Sequence, residues 1–109
     1  MKNYIGGPYW KVRKAPGEAH HIPADSISPI SKSRGPAIQM EPDDHHNTSS
    51  YGSSENARKY RAEIEQLINY NRMREAMAKE IKDVRRKMGL KYNSAIREML
   101  NYAKEKGFI

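Results

Sequence analysis

Apolar residues recur at helical spacing through the second half of the chain. After Ser54, a residue type that favours a helix N-cap, one apolar stripe predicts a helix over about Glu55–Asn69. A second stripe predicts a helix that ends at Gly89, which can adopt a positive φ, and a third predicts a helix capped by Asn93 or Ser94. The methionines of the second stripe are therefore expected in the core. The stripes consist of Tyr60, Ile64, Leu67 and Ile68; of Met73, Met77, Ile81, Val84 and Met88; and of Ile96, Met99, Leu100 and Ala103.

The first half of the chain has weaker patterns. All six prolines and five of the seven glycines lie before residue 53, so this half is expected to be loop-rich. Short runs predict strands at Tyr9–Lys14 and Ala37–Met40, with a turn at Gly6–Pro8. Pro42 suits the first position of a short helix. His21 is thereby expected after a strand, and the pair His45 and His46 on a helical turn after the second strand.

Length, composition and charge restrict the function classes. With 109 residues and 37% apolar residues, the chain is too small for a multi-domain enzyme. No apolar run approaches the roughly 20 residues of a membrane span, and no apolar segment after Met1 resembles a signal peptide. The absence of cysteine excludes disulfides and thiolate zinc sites. The sequence predicts one α+β domain over residues 1–109, divided into a loop-rich part (1–54) and a helical part (55–109).

Positive charge is concentrated in the helical part. The net charge is +7, of which residues 1–54 contribute +1 from six basic and five acidic groups. Residues 55–109 contribute +6 from 14 basic and eight acidic groups. This balance favours a polyanionic partner, such as nucleic acid, or an acidic protein.

Two pairs of adjacent histidines are the strongest chemical feature. In the first pair, His20 and His21 would point to opposite faces of a strand, so one can bind a metal while the other accepts a proton from water. In the second pair, His45 and His46 cannot easily face one ion from one helical turn, so one of them is expected in the site. Exposed polar surface and a structural zinc site with histidine ligands are the alternatives.

Seven short segments, distributed over most of the chain, are similar to the sequence pattern of one known family. Together they resemble the AHH-like nucleases of the HNH/endonuclease VII group, which occur as C-terminal toxin domains of bacterial polymorphic toxins. The resemblance implies a ββα-metal, or His-Me finger, core. The segments are Ala19–Pro23, Ser31–Met40, Asp44–His45, Tyr51–Ser54, Tyr60–Ile68, Glu75–Arg85 and Lys91–Ile96.

The resemblance implies a role for each histidine. His21 would be the general base that activates water, and His20 a metal ligand on the same segment. His45 would be the metal ligand on the helix, with His46 as the alternative. The cofactor would be one divalent ion: zinc, nickel, manganese or magnesium.

The chain departs from the family pattern at one position. The middle Asn of the HNH motif, which orients the base, has no counterpart between His21 and Met40, where no Asn occurs. Another group must therefore orient the imidazole of His21. The candidates are Asp25, Ser26, Gln39 and a backbone carbonyl.

Basic residues supply candidate contacts to phosphate. Such contacts give sequence-independent affinity, as expected of a nuclease with little sequence preference. A further cluster, Arg85–Lys87, also suits the C-terminal end of a helix, where cations are favourable without any ligand. The candidate phosphate contacts are Lys32, Arg34, Arg58, Lys59 and Arg61.

The leading hypothesis is a metal-dependent, largely nonspecific DNA endonuclease that acts as an antibacterial toxin domain. The resemblance implies delivery as the C-terminal domain of a larger secreted effector, action in the cytoplasm of the target cell, and inhibition by a cognate immunity protein, expected to be acidic. One alternative is an RNase with the same centre. The other is a noncatalytic basic module that binds nucleic acid and holds a structural zinc ion on its histidines.

Overall fold

A small antiparallel sheet lies at the centre of the fold. The computed structural model describes residues 3–109. The strands are β1 (Gly6–Pro8), β2 (Glu18–His21) and β3 (Pro36–Met40), in the order β1-β3-β2. All five residues of β3 are buried, as expected for a central strand covered on both faces.

Five α-helices within residues 3–109 complete the α+β fold, and the α+β class predicted from the sequence is confirmed. Two 3₁₀ turns, Asp25–Ile27 and Lys32–Arg34, lie in the connection between β2 and β3. No helix in this part of the chain is long and apolar enough to span a membrane. The helices are α1 (Tyr9–Val12), α2 (Pro42–His46), α3 (Glu55–Asn69), α4 (Met73–Met88) and α5 (Asn93–Glu105).

The three predicted C-terminal helices are confirmed together with most of their termini. The Ser54 side chain accepts a hydrogen bond from the Ala57 amide at 3.1 Å and caps α3. Asn71 has φ of 61° between α3 and α4, and Gly89 has φ of 63° at the end of α4. The predicted cap of α5 is displaced by one residue, because α5 already begins at Asn93.

The sheet packs against α5, and glycine makes this close approach possible. A Cβ atom at Gly6 would lie only 1.9 Å from the carbonyl oxygen of Ala95 on α5. Met77 and Met99 are buried, and Met73 and Met88 pack at the margin of the same core, so the methionine stripe is core as predicted.

The strand predicted at Tyr9–Lys14 is wrong, because this segment begins with the helical turn α1. The Arg13 amide donates to the Tyr9 carbonyl, and Pro8 immediately precedes the turn with φ of −69°. Val12 alone is buried from the turn, while Trp10 is 48% exposed, so the side chains do not alternate between core and solvent.

The first strand of the sheet lies elsewhere. Gly6–Pro8, predicted as a turn, is β1 and pairs with β3. Glu18–His21 forms β2 although it shows no apolar alternation, because its residues pair with β3 from Met40 to Ala37. His20 and His21 therefore lie within a strand, rather than after one.

Candidate active site

Three of the four histidines line one pocket of about 180 Å³. His20 and His21 reach it from β2, and His45 reaches it from α2. The order of elements is strand, strand and helix, so β3 returns the chain and places α2 beside β2. The remaining lining residues are Ala19, Ala24, Asp25, Ser50, Tyr51 and Gly52.

His20 is the buried member of the group. His20 lies opposite Ile38 in the pairing of β2 with β3, and the residue is 4% exposed. Burial, with a smaller contribution from His45, lowers the pKa of His20 to about 3. His20 is therefore neutral at physiological pH, which is the form that coordinates a metal.

His45 is oriented by a carboxylate on the neighbouring strand. Nδ1 of His45 lies 2.7 Å from Oε1 of Glu18, and the rings of His45 and His20 are 5.0 Å apart. Burial lowers the pKa of His45, although Glu18 opposes the shift. The neutral ring donates from Nδ1 to the carboxylate, which leaves the lone pair on Nε2.

The position of Glu18 follows from the strand. Glu18 and His20 are two residues apart on β2 and therefore share one face of the sheet. The hydrogen bond with His45 holds the pKa of Glu18 below its usual value, against the effect of burial. Glu18 thus remains an anion that fixes the tautomer of His45.

His46 has a different environment. Its Nε2 atom lies 3.1 Å from each oxygen of Glu18, and its ring stacks on Tyr51 at 4.5 Å. The ring does not contribute to the pocket lined by His20 and His45. Buried His20 and half-buried His45, one from each histidine pair, therefore lie beside each other, and His46 lies outside their site.

His21 is held by a hydrogen bond to the 3₁₀ turn that precedes β3. Nε2 of His21 donates to the carbonyl oxygen of Lys32 at 2.9 Å. The ring stacks on Tyr9 with centroids 4.2 Å apart and planes inclined by 15°. A Cβ atom at Gly35 would lie 2.9 Å from Cδ2 of His21, so glycine leaves the space that the imidazole occupies.

Of the candidates predicted to orient the imidazole of His21, the backbone carbonyl is the one that contacts it. Gln39 is engaged elsewhere, since its side chain accepts from the Ile5 amide and donates to the Pro16 carbonyl. Asp25 lines the pocket without a hydrogen bond to His21 among residues 3–109. Because Nε2 carries the proton, Nδ1 is the nitrogen of His21 that can accept one.

The helical part of the chain holds the loop that closes the pocket. Nη1 of Arg61 on α3 donates to the carbonyls of Ser50 and Gly52, at 2.6 and 2.7 Å. Asp83 on α4 accepts hydrogen bonds from the amide and hydroxyl of Ser49. Burial raises the pKa of Asp83, but these bonds and Lys87 outweigh burial, so its pKa is lowered overall.

Glu80 lies behind the pocket and is 1% exposed. Its Oε2 atom accepts from the amide of Ala24 at 2.9 Å. Oε1 has no hydrogen bond of good geometry within the described chain, although the Ser50 hydroxyl is close enough to lower the pKa somewhat. Burial dominates and raises the pKa of Glu80 to about 8, so the carboxyl is mainly protonated at neutral pH.

The predicted phosphate contacts fall into two groups. Lys32 and Arg34 are exposed on the 3₁₀ turn beside His21. On α3, Arg58 donates to the Ser53 carbonyl and Lys59 pairs with Glu55. In the other basic cluster, Arg86 and Lys87 both contact Asp83, and Arg85 donates to Asn93.

Two side chains of the pocket, His20 and His45, could hold a metal ion. Within residues 3–109, no three His, Asp or Glu side chains come together as a complete metal-binding group. His20 and His45 are nevertheless both neutral, and Glu18 supports one of them from behind. Such a pair leaves the other coordination positions to water and to oxygen atoms of a substrate.

No family model, curated protein or solved structure gives a significant match to this chain. The geometry of the pocket therefore carries the functional argument.

Sequence reasoning missed the residues that support the histidines. Glu18 would have been found if Glu18–His21 had been recognised as a strand, because alternation then places the carboxylate beside His20. The sequence pattern predicts a strand at Tyr9, whereas its stacking on His21 depends on the helical turn α1. Glu80 and Asp83 gave no signal, since acidic residues on a helix are usually solvated.

Proposed function

We propose that the protein is a metal-dependent endonuclease that hydrolyses phosphodiester bonds. The observation that carries this proposal is the convergence of His20, His21 and His45 on one pocket in two different chemical settings. Buried His20 and half-buried His45 are neutral and lie beside each other, whereas His21 is held through Nε2. This division suits two metal ligands and one base.

The order of elements supports a ββα-metal core. β2 carries His20 and His21, β3 returns antiparallel to it, and α2 carries His45. Asp44 fixes α2 from the other side by accepting hydrogen bonds from Tyr92, at 2.5 Å, and from Lys91, at 2.8 Å. Helix α2 is therefore held through two neighbouring residues: His45 by Glu18, and Asp44 by Tyr92 and Lys91.

His21 is proposed as the general base. Its Nε2–H bond to the Lys32 carbonyl leaves Nδ1 to take a proton from water, which then attacks phosphorus. The stack on Tyr9 restricts rotation of the ring, so the accepting nitrogen is oriented before the substrate arrives. The carbonyl performs the orienting role that the middle Asn performs in the HNH motif.

His20 and His45 are proposed to hold one divalent ion, which is zinc, nickel, manganese or magnesium. When bound, the ion offsets negative charge on the phosphate and on the departing 3′ oxygen. Imidazole ligands favour the transition metals over magnesium. Glu18 keeps His45 in the tautomer that presents Nε2.

Five further proposals rest on the family resemblance. They are DNA as the substrate, antibacterial toxicity, delivery within a larger effector, action in the target-cell cytoplasm, and inhibition by an acidic immunity protein. The net charge of +7 supports a polyanionic substrate and an acidic inhibitor. An RNase with the same centre is tested by the same experiment.

The test is cleavage of supercoiled plasmid and of structured RNA with Mg²⁺, Mn²⁺, Ni²⁺ or Zn²⁺, or with EDTA. We expect cleavage with a metal, none with EDTA, and a loss of at least about 100-fold in His21→Ala, the usual contribution of a general base. His46→Ala is the comparison variant: its ring contacts Glu18 but lies outside the pocket, so we expect it to lower cleavage far less than His21→Ala does.

Two results would contradict the proposal. Cleavage that persists in His21→Ala would remove its proposed role. Failure to cut either nucleic acid with any metal, combined with retained zinc, would favour the noncatalytic module.

A further inference from the structure

A basic and aromatic surface lies next to His21. It is built by the helical turn α1, the residues that follow it and the 3₁₀ turn before β3, which packs against α1. Its side chains are exposed. This surface, the α1 face, comprises Trp10, Lys11, Arg13, Lys14, Lys32 and Arg34.

Within residues 3–109, the cations of the α1 face have no acidic partners. None of the five forms an ion pair with a carboxylate in the described part of the chain. Cations on the helical part are often paired, for example Lys59 with Glu55 and Lys79 with Glu63. The α1 face contains five of the six basic residues in residues 1–54, so most of the positive charge of that part lies on this face.

Trp10 is the only tryptophan of the chain and is 48% exposed. Val12 is the residue of α1 that is buried in the core, so the exposed indole is not needed to attach this turn to the fold. Nζ of Lys14 lies 5.7 Å from the centroid of the indole ring. An exposed aromatic ring beside a cation is the arrangement with which proteins hold a base together with its phosphate.

The α1 face is continuous with the proposed catalytic base. Trp10 follows Tyr9 in α1, and the Tyr9 ring stacks on His21. Nζ of Lys32 lies 5.8 Å from the same Tyr9 ring, while the Lys32 carbonyl holds His21. A strand bound along this face would therefore pass beside His21.

We infer that the α1 face binds single-stranded nucleic acid, with an unpaired base stacked on Trp10 and the flanking phosphates on the unpaired cations. The inference deepens the proposed nuclease function and rests on it for the position of the cleaved bond. An unpaired base is required, because base stacking in a duplex already covers the face that an exposed side chain would contact. The substrate would be a single-stranded segment, of DNA or RNA.

The experiment uses the fluorescence of Trp10, which reports on the α1 face alone. Wild-type protein in EDTA is titrated with oligothymidylate, oligouridylate, a duplex of the same length, and inorganic polyphosphate. We expect the two single strands to quench the indole and to bind at least about tenfold more tightly than the duplex, at matched salt. Polyphosphate is expected to bind the cations without quenching, because it has no base.

Variants separate stacking from folding. Trp10→Ala is expected to weaken binding of a labelled oligothymidylate about tenfold, and Trp10→Tyr to restore most of the affinity. Tyr70→Ala is the control, since Tyr70 is 69% exposed after α3 and lies outside the α1 face.

Two outcomes distinguish this inference from the nuclease proposal. Unquenched Trp10, unchanged affinity in Trp10→Ala, or equal binding of the duplex would overturn the inference even if the protein cleaves plasmid. Quenching by a single strand without cleavage under any metal would overturn the nuclease proposal and support the α1 face as a binding surface.

Discussion

Nε2 of His21 donates a hydrogen bond to the main-chain carbonyl of Lys32 at a distance of 2.9 Å. The bond selects the ring tautomer with a free Nδ1 and depends on the backbone of the 3₁₀ turn, whatever side chain residue 32 carries. The geometry of the turn, rather than a motif residue, therefore positions the proposed base.

The first prediction concerns the space beside His21. Gly35→Ala would introduce a methyl group 2.9 Å from Cδ2 of the imidazole, and the ring must move to avoid it. Gly35 has φ of −61°, so alanine fits the backbone without strain. We expect cleavage to fall at least about tenfold, measured as kcat on plasmid, because the Nε2 bond is disturbed.

Two comparisons test this explanation. Lys32→Ala keeps the carbonyl and should preserve kcat better than Gly35→Ala does. In the wild type, the contact with the imidazole should also make Gly35→Ala lower the thermal midpoint. In a His21→Ala background the same methyl group meets no imidazole, so Gly35→Ala should leave the midpoint unchanged. An equal effect on the midpoint in both backgrounds would show that the methyl group acts elsewhere.

The second prediction concerns support of the metal ligand. Glu18→Ala removes the acceptor of the 2.7 Å bond from His45, so the ring loses its preferred orientation and tautomer. We expect affinity for Mn²⁺ or Zn²⁺ to weaken about 10- to 100-fold by calorimetric titration. His46→Ala should change the affinity much less; a larger effect than that of Glu18→Ala would make His46 the ligand.

The third prediction separates two roles of Arg61. Because Arg61 holds the loop through the Ser50 and Gly52 carbonyls, we expect Arg61→Ala to lower the thermal midpoint and to leave the salt dependence of DNA binding unchanged. A phosphate contact would instead reduce the slope of log K against log salt by about 1. Arg58→Ala, which loses a single bond to the Ser53 carbonyl, is the comparison.

The fourth prediction uses the pH dependence of stability. The pKa of Glu80 is about 8 in the fold and near 4.5 when unfolded, so the native state holds more protons between those values. Its contribution to stability is complete below about pH 4.5 and is lost as the pH rises towards 8. Glu80→Gln should remove this decline, measured by urea unfolding from about pH 5 to 8.

The difference in the free energy of unfolding between wild type and Glu80→Gln, followed against pH, isolates the contribution of Glu80. His20 has the opposite sign, because its pKa falls to about 3 and its stabilisation is lost as the pH decreases. This contribution is common to both proteins and cancels. Exposed Glu65→Gln should leave the pH profile unchanged; parallel profiles for wild type and Glu80→Gln would show that Glu80 is ionised in the fold.

The helices were predictable because their pattern is local. The apolar spacing, the Ser54 cap and the Gly89 terminus all act within a few residues. In the structure, α3, α4 and α5 begin and end at or within one residue of the predicted limits. The sheet was only partly predictable. Of its three strands, only β3 was predicted, because β2 has no apolar pattern and β1 depends on pairing with distant residues.

Local patterns along the chain are sufficient for the α+β class, the three C-terminal helices and the two histidine pairs as candidate chemistry. Which rings meet, and how each is held, depends on contacts between distant parts of the chain. Burial makes His20 neutral, Glu18 orients His45, and the Lys32 carbonyl holds His21. Burial and these contacts bring together residues up to 27 positions apart, so they depend on strand pairing and on the placement of α2, which no local pattern encodes.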